Sequence, residues 1–309
     1  MITVVGSIAF DSVKTPSGER ERILGGAATH FALAASFFTE VRVVGPVGDD
    51  FDDAAYAVLR TRGTNTDDVE HVRGGKSFFW AGEYGWDLNS RETLDTQLGV
   101  FASFQPKLSP TSRESDVLFL ANIQPDLQRD VLEQCRDARF VALDSMDLWI
   151  ETARDSLLET ITGVDCVILN DIELRQLTRQ PNVVSAARQL LRWGPSVVVA
   201  KQGEYGATLV SADDFFAVPA YPLETVVDPT GAGDTFAGGF LGYLAQAAAD
   251  IDRMMLRQAM VYGTVLASFN VEGFGTDRVA QLSNRAIQER VNELLGFTHV
   301  TPVLADLRG

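Results

Sequence analysis

Hydrophobic and polar positions follow two alternating patterns along most of the chain. Helical patterns, such as 25–38 and 52–63, separate short apolar runs that contain few polar residues. Continuous apolar runs of this length are typical of strands buried on both faces. They lie at 2–6, 41–48, 115–122, 139–145, 165–170 and 196–201. The alternation predicts an α/β fold with a doubly wound, mostly parallel sheet that has helices on both faces.

Residues 69–104 break this alternation. The stretch GKSFFWAGEYGW alternates in polarity and is rich in aromatic residues, which indicates a strand, and little helical order follows it. Together with residues 11–23, this region predicts a small β-sheet lid. Trp80, Tyr84 and Trp86 either stack on a ligand or pack a sheet face, in the lid itself or in a dimer formed through the lid, and packing is the prediction.

The C-terminal part of the chain returns to helical patterns. They span 233–249, 252–270 and 278–295, after a predicted hairpin at 206–220. No long linker, repeat or low-complexity tract interrupts the sequence, so we expect residues 1–309 to form a single domain with its lid.

Composition narrows the class of protein. Of 309 residues, 46% are hydrophobic and 22% are charged, which is ordinary for a globular chain. The net charge of -16 disfavours nucleic acid and anionic membranes as partners, and no apolar run approaches the ~20 residues of a membrane span. Cys135 and Cys166 predict neither a disulfide framework nor a zinc site, and the chain begins on a strand pattern without a leader. We expect a cytoplasmic protein.

The strongest local motif is VVDPTGAGDTFAGGFLGYL, from Val226 to Leu244. It predicts a glycine-rich turn that leads into an apolar helix, where exposed N–H groups and the helix dipole attract an anion. Asp234 falls in the first helical turn, where a carboxylate can accept the proton of an attacking alcohol. For the bare motif, a capped helix with an acidic first turn is the favoured alternative, and the surrounding pattern changes that balance.

The longer pattern DPTGAGDTFAGGF resembles the second signature of the PfkB/ribokinase family of carbohydrate and nucleoside kinases. The resemblance implies that Gly231, Ala232 and Gly233 form an anion hole and that Asp234 is the catalytic base. It also implies that Asp228 helps to bind the cofactor, often through a monovalent cation.

Motifs near the N-terminus resemble the acceptor site of the same family. Asp11, in GSIAFD, corresponds to an aspartate that holds substrate hydroxyls, and Gly25 and Gly26 match the Gly-Gly that lines the pocket. His30 stands where the family usually has an asparagine that binds a sugar hydroxyl, so we expect it to tune the choice of acceptor. A turn aspartate, a turn before a helix and a packed helical residue are the structural alternatives.

Motifs in the second half resemble the nucleotide and metal sites. Asn170 and Glu173 match an Asn-x-x-Glu motif that organises Mg²⁺ and phosphate, although the same spacing is a capping box. VVVAKQGEYGATLV implies that Lys201, Gly203 and Gly206 lie in a turn beside the nucleotide, with a solvated lysine as the alternative.

The resemblance covers nearly the whole chain and implies transfer of the γ-phosphoryl group of ATP, with Mg²⁺, to an alcohol. A neutral sugar or polyol is the first expected acceptor and a nucleoside the second, while a metabolite-binding pseudokinase is the non-enzymatic alternative. The loop EGFGTD (272–277) departs from the family pattern, which leaves dependence on a monovalent cation open. A homodimer through the lid is a further hypothesis.

GGKS (74–77) resembles a P-loop, but aromatic strand residues follow it instead of a helix.

Overall fold

A computed structural model describes residues 1–247 and 250–299. The strands are β1 (Ile2–Val5), β2 (Ala9–Thr15), β3 (Gly18–Gly25), β4 (Val41–Val47), β5 (Val69–His71), β6 (Phe78–Tyr84), β7 (Arg91–Gln97), β8 (Val117–Leu120), β9 (Phe140–Leu143), β10 (Cys166–Asn170), β11 (Val197–Lys201), β12 (Ala207–Ser211) and β13 (Phe215–Val218). The helices are α1 (Ala27–Ala35), α2 (Asp53–Leu59), α3 (Pro110–Arg113), α4 (Pro125–Gln134), α5 (Asp147–Thr152), α6 (Arg154–Ile161), α7 (Asp171–Thr178), α8 (Val183–Leu191), α9 (Ala232–Leu244), α10 (Arg253–Asn270), α11 (Asp277–Ala280) and α12 (Asn284–Thr298).

The larger sheet has nine strands in the order β13-β12-β11-β10-β9-β8-β1-β4-β5. Every pair from β5 through to β11 is parallel, and β12 and β13 add an antiparallel edge. The chain passes from β1 to β4 on one side and from β8 to β9 on the other, so the winding direction reverses between β1 and β8. This confirms the doubly wound fold, and in such folds ligands bind outside the carboxyl ends of the strands near the reversal.

Helices cover both faces of this sheet. On one face α1, α9, α10 and α12 pack on the strands, and the ring of Phe31 in α1 stacks on that of Phe119 in β8 at 4.5 Å between centroids. On the other face α4, α6, α7 and α8 bury a second apolar layer. Because both faces are covered, the central strands are continuous apolar runs, as the sequence pattern indicates.

A smaller sheet of four strands, in the order β3-β2-β6-β7, forms the lid. Its segments run from Ala9 to Gly25 and from Phe78 to Gln97, so the lid is shorter than the expected 69–104. Residues 69–71 instead form β5, which pairs in parallel with β4 at the edge of the larger sheet. The alternation of polarity identifies a strand but not the sheet to which it belongs.

The C-terminal helices follow the predicted order with different limits. The helix predicted at 233–249 ends at Leu244, and residues 248 and 249 lie outside the described part. The helix predicted at 278–295 is two helices, because the hydroxyl of Ser283 accepts the N–H of Ala286 and starts α12 anew. Within the described ranges no helix has the length and apolar character of a membrane span.

Candidate active site

The glycine-rich motif forms a tight turn at the start of α9. Residues 228–233, called the anion turn below, lead into this helix, and Gly231 has a left-handed backbone with φ of 73°. A Cβ on Gly231 would lie 2.4 Å from the ring of His30, so only glycine fits there. The first N–H groups of a helix lack partners within the helix and carry the positive end of its dipole. The anion turn therefore has the donors and the potential that a phosphate requires.

A buried hydrogen-bond network supports the anion turn from below. Asn270, the last residue of α10, is completely buried, and its amide donates to the carbonyl of Thr230 at 2.7 Å. Its Oδ1 accepts the hydroxyl of Thr235 at 3.0 Å and Nδ1 of His30 at 3.0 Å. One side chain thus ties together the anion turn, α1 and α9.

Asp228 completes this support. It is fully buried, and its two oxygens accept the N–H groups of Thr230 at 2.9 Å and of Gly275 at 3.1 Å. The residue expected to bind the cofactor therefore lies behind the anion turn and joins it to the 272–277 loop. We use the name floor for His30, Asp228, Thr235 and Asn270.

His30 occupies a different place from the one expected. It is only 2% exposed and packs directly beneath Gly231, whereas we expected it to face the acceptor from the other side of the cleft. Because Oδ1 of Asn270 can only accept, Nδ1 of His30 must donate. Burial lowers the pKa of His30, which keeps the ring neutral. The other ring nitrogen, Nε2, is buried and has no hydrogen-bond partner among the described residues.

The acceptor motifs meet above the end of β1. Asp11 is 6% exposed, and a Cβ on Gly25 would lie 1.9 Å from its Oδ2, so the glycine makes room for the carboxylate. The N–H of Gly26 donates to the same carboxylate. The structure thus brings Asp11, Gly25 and Gly26 together, and the charge of Asp234 contributes to the raised pKa of Asp11.

An ion pair lies on the other side of the anion turn. Lys201, at the end of β11, contacts Asp144 after β9, with 2.7 Å between Nζ and Oδ2, and both side chains are largely buried. The Nζ of Lys201 is 3.0 Å from the position of a Cβ on Gly233, so the ammonium stands beside the anion turn. We use the name mouth for Asp11, Asp144, Lys201 and Asp234.

The mouth contains more negative than positive charge, and its pKa values reflect this. Burial and the charge of Asp144 raise the pKa of Asp234 to about 7, although Lys201 opposes the shift. Burial and the charges of Asp228 and Asp234 raise the pKa of Asp11 to about 7. Burial alone would lower the pKa of Lys201, but the carboxylates of Asp144 and Glu173 raise it above its usual value. A carboxylate with a pKa near 7 is suited to act as a base near neutral pH.

A cavity of about 660 Å³ opens beside the anion turn. Lys201, Gly203 and Gly206 line it together with Gly233, so the predicted nucleotide turn and the anion turn share one pocket. Gly206 has φ of 96°, and a Cβ there would lie 2.0 Å from the carbonyl oxygen of Val218, which requires glycine. The volume of this cavity is in the range of small-ligand pockets. We call it the donor cavity.

Asn170 and Glu173 form the capping box at the start of α7. Oδ1 of Asn170 accepts the N–H of Glu173 at 2.8 Å, and Oε2 of Glu173 accepts the N–H of Asn170 at 2.9 Å. Burial and the charge of Asp144 raise the pKa of Glu173 to about 7. In the described part of the chain no three His, Cys, Asp or Glu side chains are arranged to hold a metal ion.

The lid contacts the segment that leads into the anion turn. The hydroxyl of Thr15 donates to the carbonyl of Val227 at 2.8 Å, and the hydroxyl of Thr230 donates to Tyr84 at 3.2 Å. Trp80 packs on the lid itself, because its ring occupies the space that a Cβ on Gly82 would need. Trp86 is 89% exposed, so it does not pack on the lid sheet of its own chain.

The sequence did not predict Asp144 or Asn270 as site residues, nor the contact between Tyr84 and the anion turn. Asp144 directly follows a buried strand, and the carboxyl ends of parallel strands meet at one edge, so this signal was present. Asn270 ends a long helix without any local motif. Tyr84 is 146 positions from Thr230, and only the folded lid brings the two together.

Transfer of a phosphoryl group between two small molecules is the chemistry that this arrangement suits. Backbone donors and an ammonium can hold the transferring phosphate, and a partly protonated carboxylate stands beside them.

Comparison with known proteins gives the family. A model described as pfkB family carbohydrate kinase matches residues 1–281. A cytidine kinase of Thermococcus kodakarensis is 32% identical over 254 residues, which cover 78% of this chain and 88% of the relative. A deoxyribokinase of Salmonella typhimurium is 27% identical over 283 residues, which cover 88% of this chain and 87% of the relative. The chain belongs to the pfkB family of carbohydrate kinases, and it is a sugar or nucleoside kinase that phosphorylates an alcohol group.

Solved structures agree on the fold. The nucleoside kinase of Methanocaldococcus jannaschii matches with a TM-score of 0.76 at 19% identity, over 94% of this chain and 98% of that chain. The adenosine kinase of Sinorhizobium meliloti matches with a TM-score of 0.78 at 19% identity, over 92% of this chain and 98% of that chain. Both support the ribokinase-like α/β fold with its smaller sheet.

Proposed function

We propose that the chain transfers the γ-phosphoryl group of ATP to a hydroxyl of a pentose, with a nucleoside as the first acceptor and a free pentose as the second. The observation that carries this proposal is that Asp11, packed against Gly25 and bonded to the N–H of Gly26, is close enough to Asp234 for the charge of Asp234 to raise the pKa of Asp11. We infer the acceptor class from the relatives, because the names cytidine kinase, deoxyribokinase and ribokinase each refer to a pentose or to a nucleoside that contains one. This reverses the order expected from the sequence.

In the proposed reaction Asp234 accepts the proton of the acceptor hydroxyl as the oxygen attacks the terminal phosphorus. The N–H groups of the anion turn and the ammonium of Lys201 stabilise the charge on the transferring group. Asp11 holds neighbouring hydroxyls of the pentose, and the lid excludes water that would otherwise hydrolyse ATP. The support for these roles is geometric: Asp234 lies in the first turn of α9, the helix that follows the anion turn, and Lys201 stands beside Gly233.

Mg²⁺ is the proposed cofactor, and it would neutralise charge on the donor phosphates. Mg²⁺ usually keeps several waters and takes one or two carboxylates together with substrate phosphates. Asn170 and Oε2 of Glu173 are engaged in the capping box, so they fit a contact through water better than direct ligation. Glu173→Gln should therefore raise the Mg²⁺ concentration needed for half-maximal rate without changing acceptor KM. If the Mg²⁺ titrations of Glu173→Gln and of the wild type superimpose, Asn170 and Glu173 serve only to cap α7.

The remaining parts of the proposal concern the assembly and its location. Residues 1–309 are proposed to work as one domain, supported by hydrogen bonds between the lid and the 226–230 segment. A homodimer through the lid is supported by the solvent exposure of Trp86 and Leu94, and sedimentation analysis tests it. A cytoplasmic location is supported by Cys135 and Cys166, which are both buried and unpaired.

A panel of acceptors tests the function. ADP release with ATP and Mg²⁺ should be fastest with a pyrimidine or purine nucleoside, slower with ribose and deoxyribose, and slowest with hexoses and polyols. Asp234→Asn provides the control for contaminating kinases. A preference for a hexose or polyol would overturn the acceptor class. Tight binding of a nucleoside without any ADP release would instead support the metabolite-binding alternative.

A further inference from the structure

The tip of the lid lies against the donor cavity. Asp87, Leu88 and Asn89, in the loop between β6 and β7, line this cavity together with the nucleotide turn. Oδ1 of Asn89 is 4.0 Å from the position that a Cβ on Gly203 would occupy. The lid therefore meets both substrate regions, since β2 of the same sheet carries Asp11 on the acceptor side.

The tip is an ordered turn that carries the side-chain amide of Asn89. The N–H of Gly85 donates to the carbonyl of Ser90 at 2.9 Å and closes the loop. Oδ1 of Asp87 accepts the hydroxyl of Ser90 at 2.9 Å and the N–H of Asn89 at 3.2 Å. The side-chain amide of Asn89 has no partner among the described residues, so it can donate to a ligand in the cavity.

A second set of contacts connects the lid with the wall of the same cavity. The hydroxyl of Ser17 donates to the carbonyl of Val226 at 3.2 Å, and Tyr84 accepts from Thr230. Val226 and Pro229 also line the donor cavity, so the 226–230 segment has the lid on one side and the nucleotide space on the other. A nucleotide that fixes the position of residues 226–230 would therefore favour the conformation in which the lid contacts this segment.

We propose that the lid tip is part of the donor site: the amide of Asn89 donates to the phosphate chain of the bound nucleoside triphosphate, and Tyr84 fixes the lid to the anion turn. This inference rests on the proposed function and extends it. Because the same lid also borders the acceptor, binding of the nucleotide should raise the affinity for the acceptor, and the reverse must hold to the same degree.

Substitutions at the tip test the donor contact. Asn89→Ala should raise the KM for ATP about 10- to 150-fold, as expected when a hydrogen bond to a charged group is lost. Asn89→Asp preserves the shape but places a negative charge beside the phosphates, so it should raise the KM further, and added salt should reduce that difference. Glu92→Gln is the matched control, because Glu92 lies in β7 opposite Glu83, whose side chain pairs with Lys14 on the outer surface of the lid.

Acceptor binding measured with and without a non-hydrolysable ATP analogue tests the coupling. In the wild type and in Glu92→Gln the analogue should tighten acceptor binding about 5- to 150-fold, the usual range of coupling between sites. Tyr84→Phe removes the contact with Thr230 and should abolish most of this gain while the analogue still binds. Unchanged ATP kinetics in both Asn89 variants, or unchanged coupling in Tyr84→Phe, would overturn the inference. Failure of the wild type to bind ATP would instead contradict the proposed function.

Discussion

The floor and the mouth lie on two sides of the anion turn, and both hold buried polar groups, but they treat charge differently. In the floor, Asp228 accepts two backbone N–H groups and Asn270 makes three hydrogen bonds. In the mouth, the ammonium of Lys201 pairs with Asp144 and opposes the raised pKa of Asp234, while the pKa of Asp11 is raised by the charges of Asp228 and Asp234. Matched groups hold a turn in shape, whereas unmatched carboxylates stay ready to take up a proton. Burial therefore does not by itself distinguish a structural carboxylate from a reactive one.

The largest expected effect is the loss of kcat when the base in the mouth is replaced. Asp234→Asn should lower kcat about 10²- to 10⁴-fold, the usual contribution of a general base, while ATP still binds. Steady-state kinetics and nucleotide titration give the two numbers. Retention of more than about a third of wild-type turnover would remove Asp234 from the role of base.

The fold and the anion turn could both be predicted from the sequence. Buried parallel strands leave continuous apolar runs, and the glycines of the anion turn leave a compact motif, so both were visible. The Asn170–Glu173 spacing predicted a capping box and a metal motif, and the structure contains the capping box. One pattern can satisfy two physical demands at once, and spacing alone does not separate them.

The floor was largely invisible in the sequence for a physical reason. His30 was assigned to the acceptor by motif position, but its contacts are with Gly231 and Asn270, which are about 200 and 240 positions away in the chain. A hydrogen bond between such distant residues depends on how α1, α9 and α10 pack. Similarly, β5 joined the larger sheet because its backbone pairs with β4, which polarity does not encode.

The next largest effect is on the free energy of unfolding, which should respond in opposite directions to substitutions in the mouth and in the floor. Asp234 has a pKa raised to about 7, so the folded protein binds its proton more tightly than the unfolded chain does. Stability contributed by this group is therefore lost as pH rises from about 4 to 7. Asp234→Asn should stabilise the protein by about 1–3 kcal/mol at pH 8 and add little near pH 4.

The matched variant in the floor should do the opposite. Asp228→Asn keeps one acceptor oxygen but turns an N–H₂ group toward a backbone donor, so it should destabilise the protein by about 1–3 kcal/mol. Each 1 kcal/mol corresponds to a shift of about 2–4 °C in Tm for a chain of this size. Thermal melts of both variants at pH 8 and pH 4.5 provide the measurement. Changes of the same sign at pH 8 would contradict the distinction between the floor and the mouth.

A smaller effect sharpens the electrostatics of the mouth. The kcat/KM for the acceptor should fall about tenfold per pH unit below about 7, as the base becomes protonated. Asp144→Asn removes the charge that raises the pKa of Asp234 and leaves Lys201 to lower it, so the inflection should move to lower pH. Asp126→Asn, a surface control on α4, should leave the profile in place. An inflection that stays unchanged in Asp144→Asn would show that burial alone sets the pKa of the base.

The smallest effect concerns His30 and decides to which region it belongs. Its ring fills the space beneath Gly231 and donates to Asn270, and neither contact involves the acceptor. In His30→Asn the shorter amide can still donate to Asn270, but it leaves a gap under the anion turn, so we expect a loss of about 1–2 kcal/mol of stability. Because the turn itself becomes less well held, kcat/KM should fall by the same factor of several-fold for nucleosides, pentoses and hexoses. ATP hydrolysis without acceptor should change in parallel, since the phosphate site is shared. An altered order of acceptors together with an unchanged Tm would instead assign His30 to the acceptor, as the motif implies. That result would require the ring to leave the floor and Nε2 to contact a substrate hydroxyl when the acceptor binds.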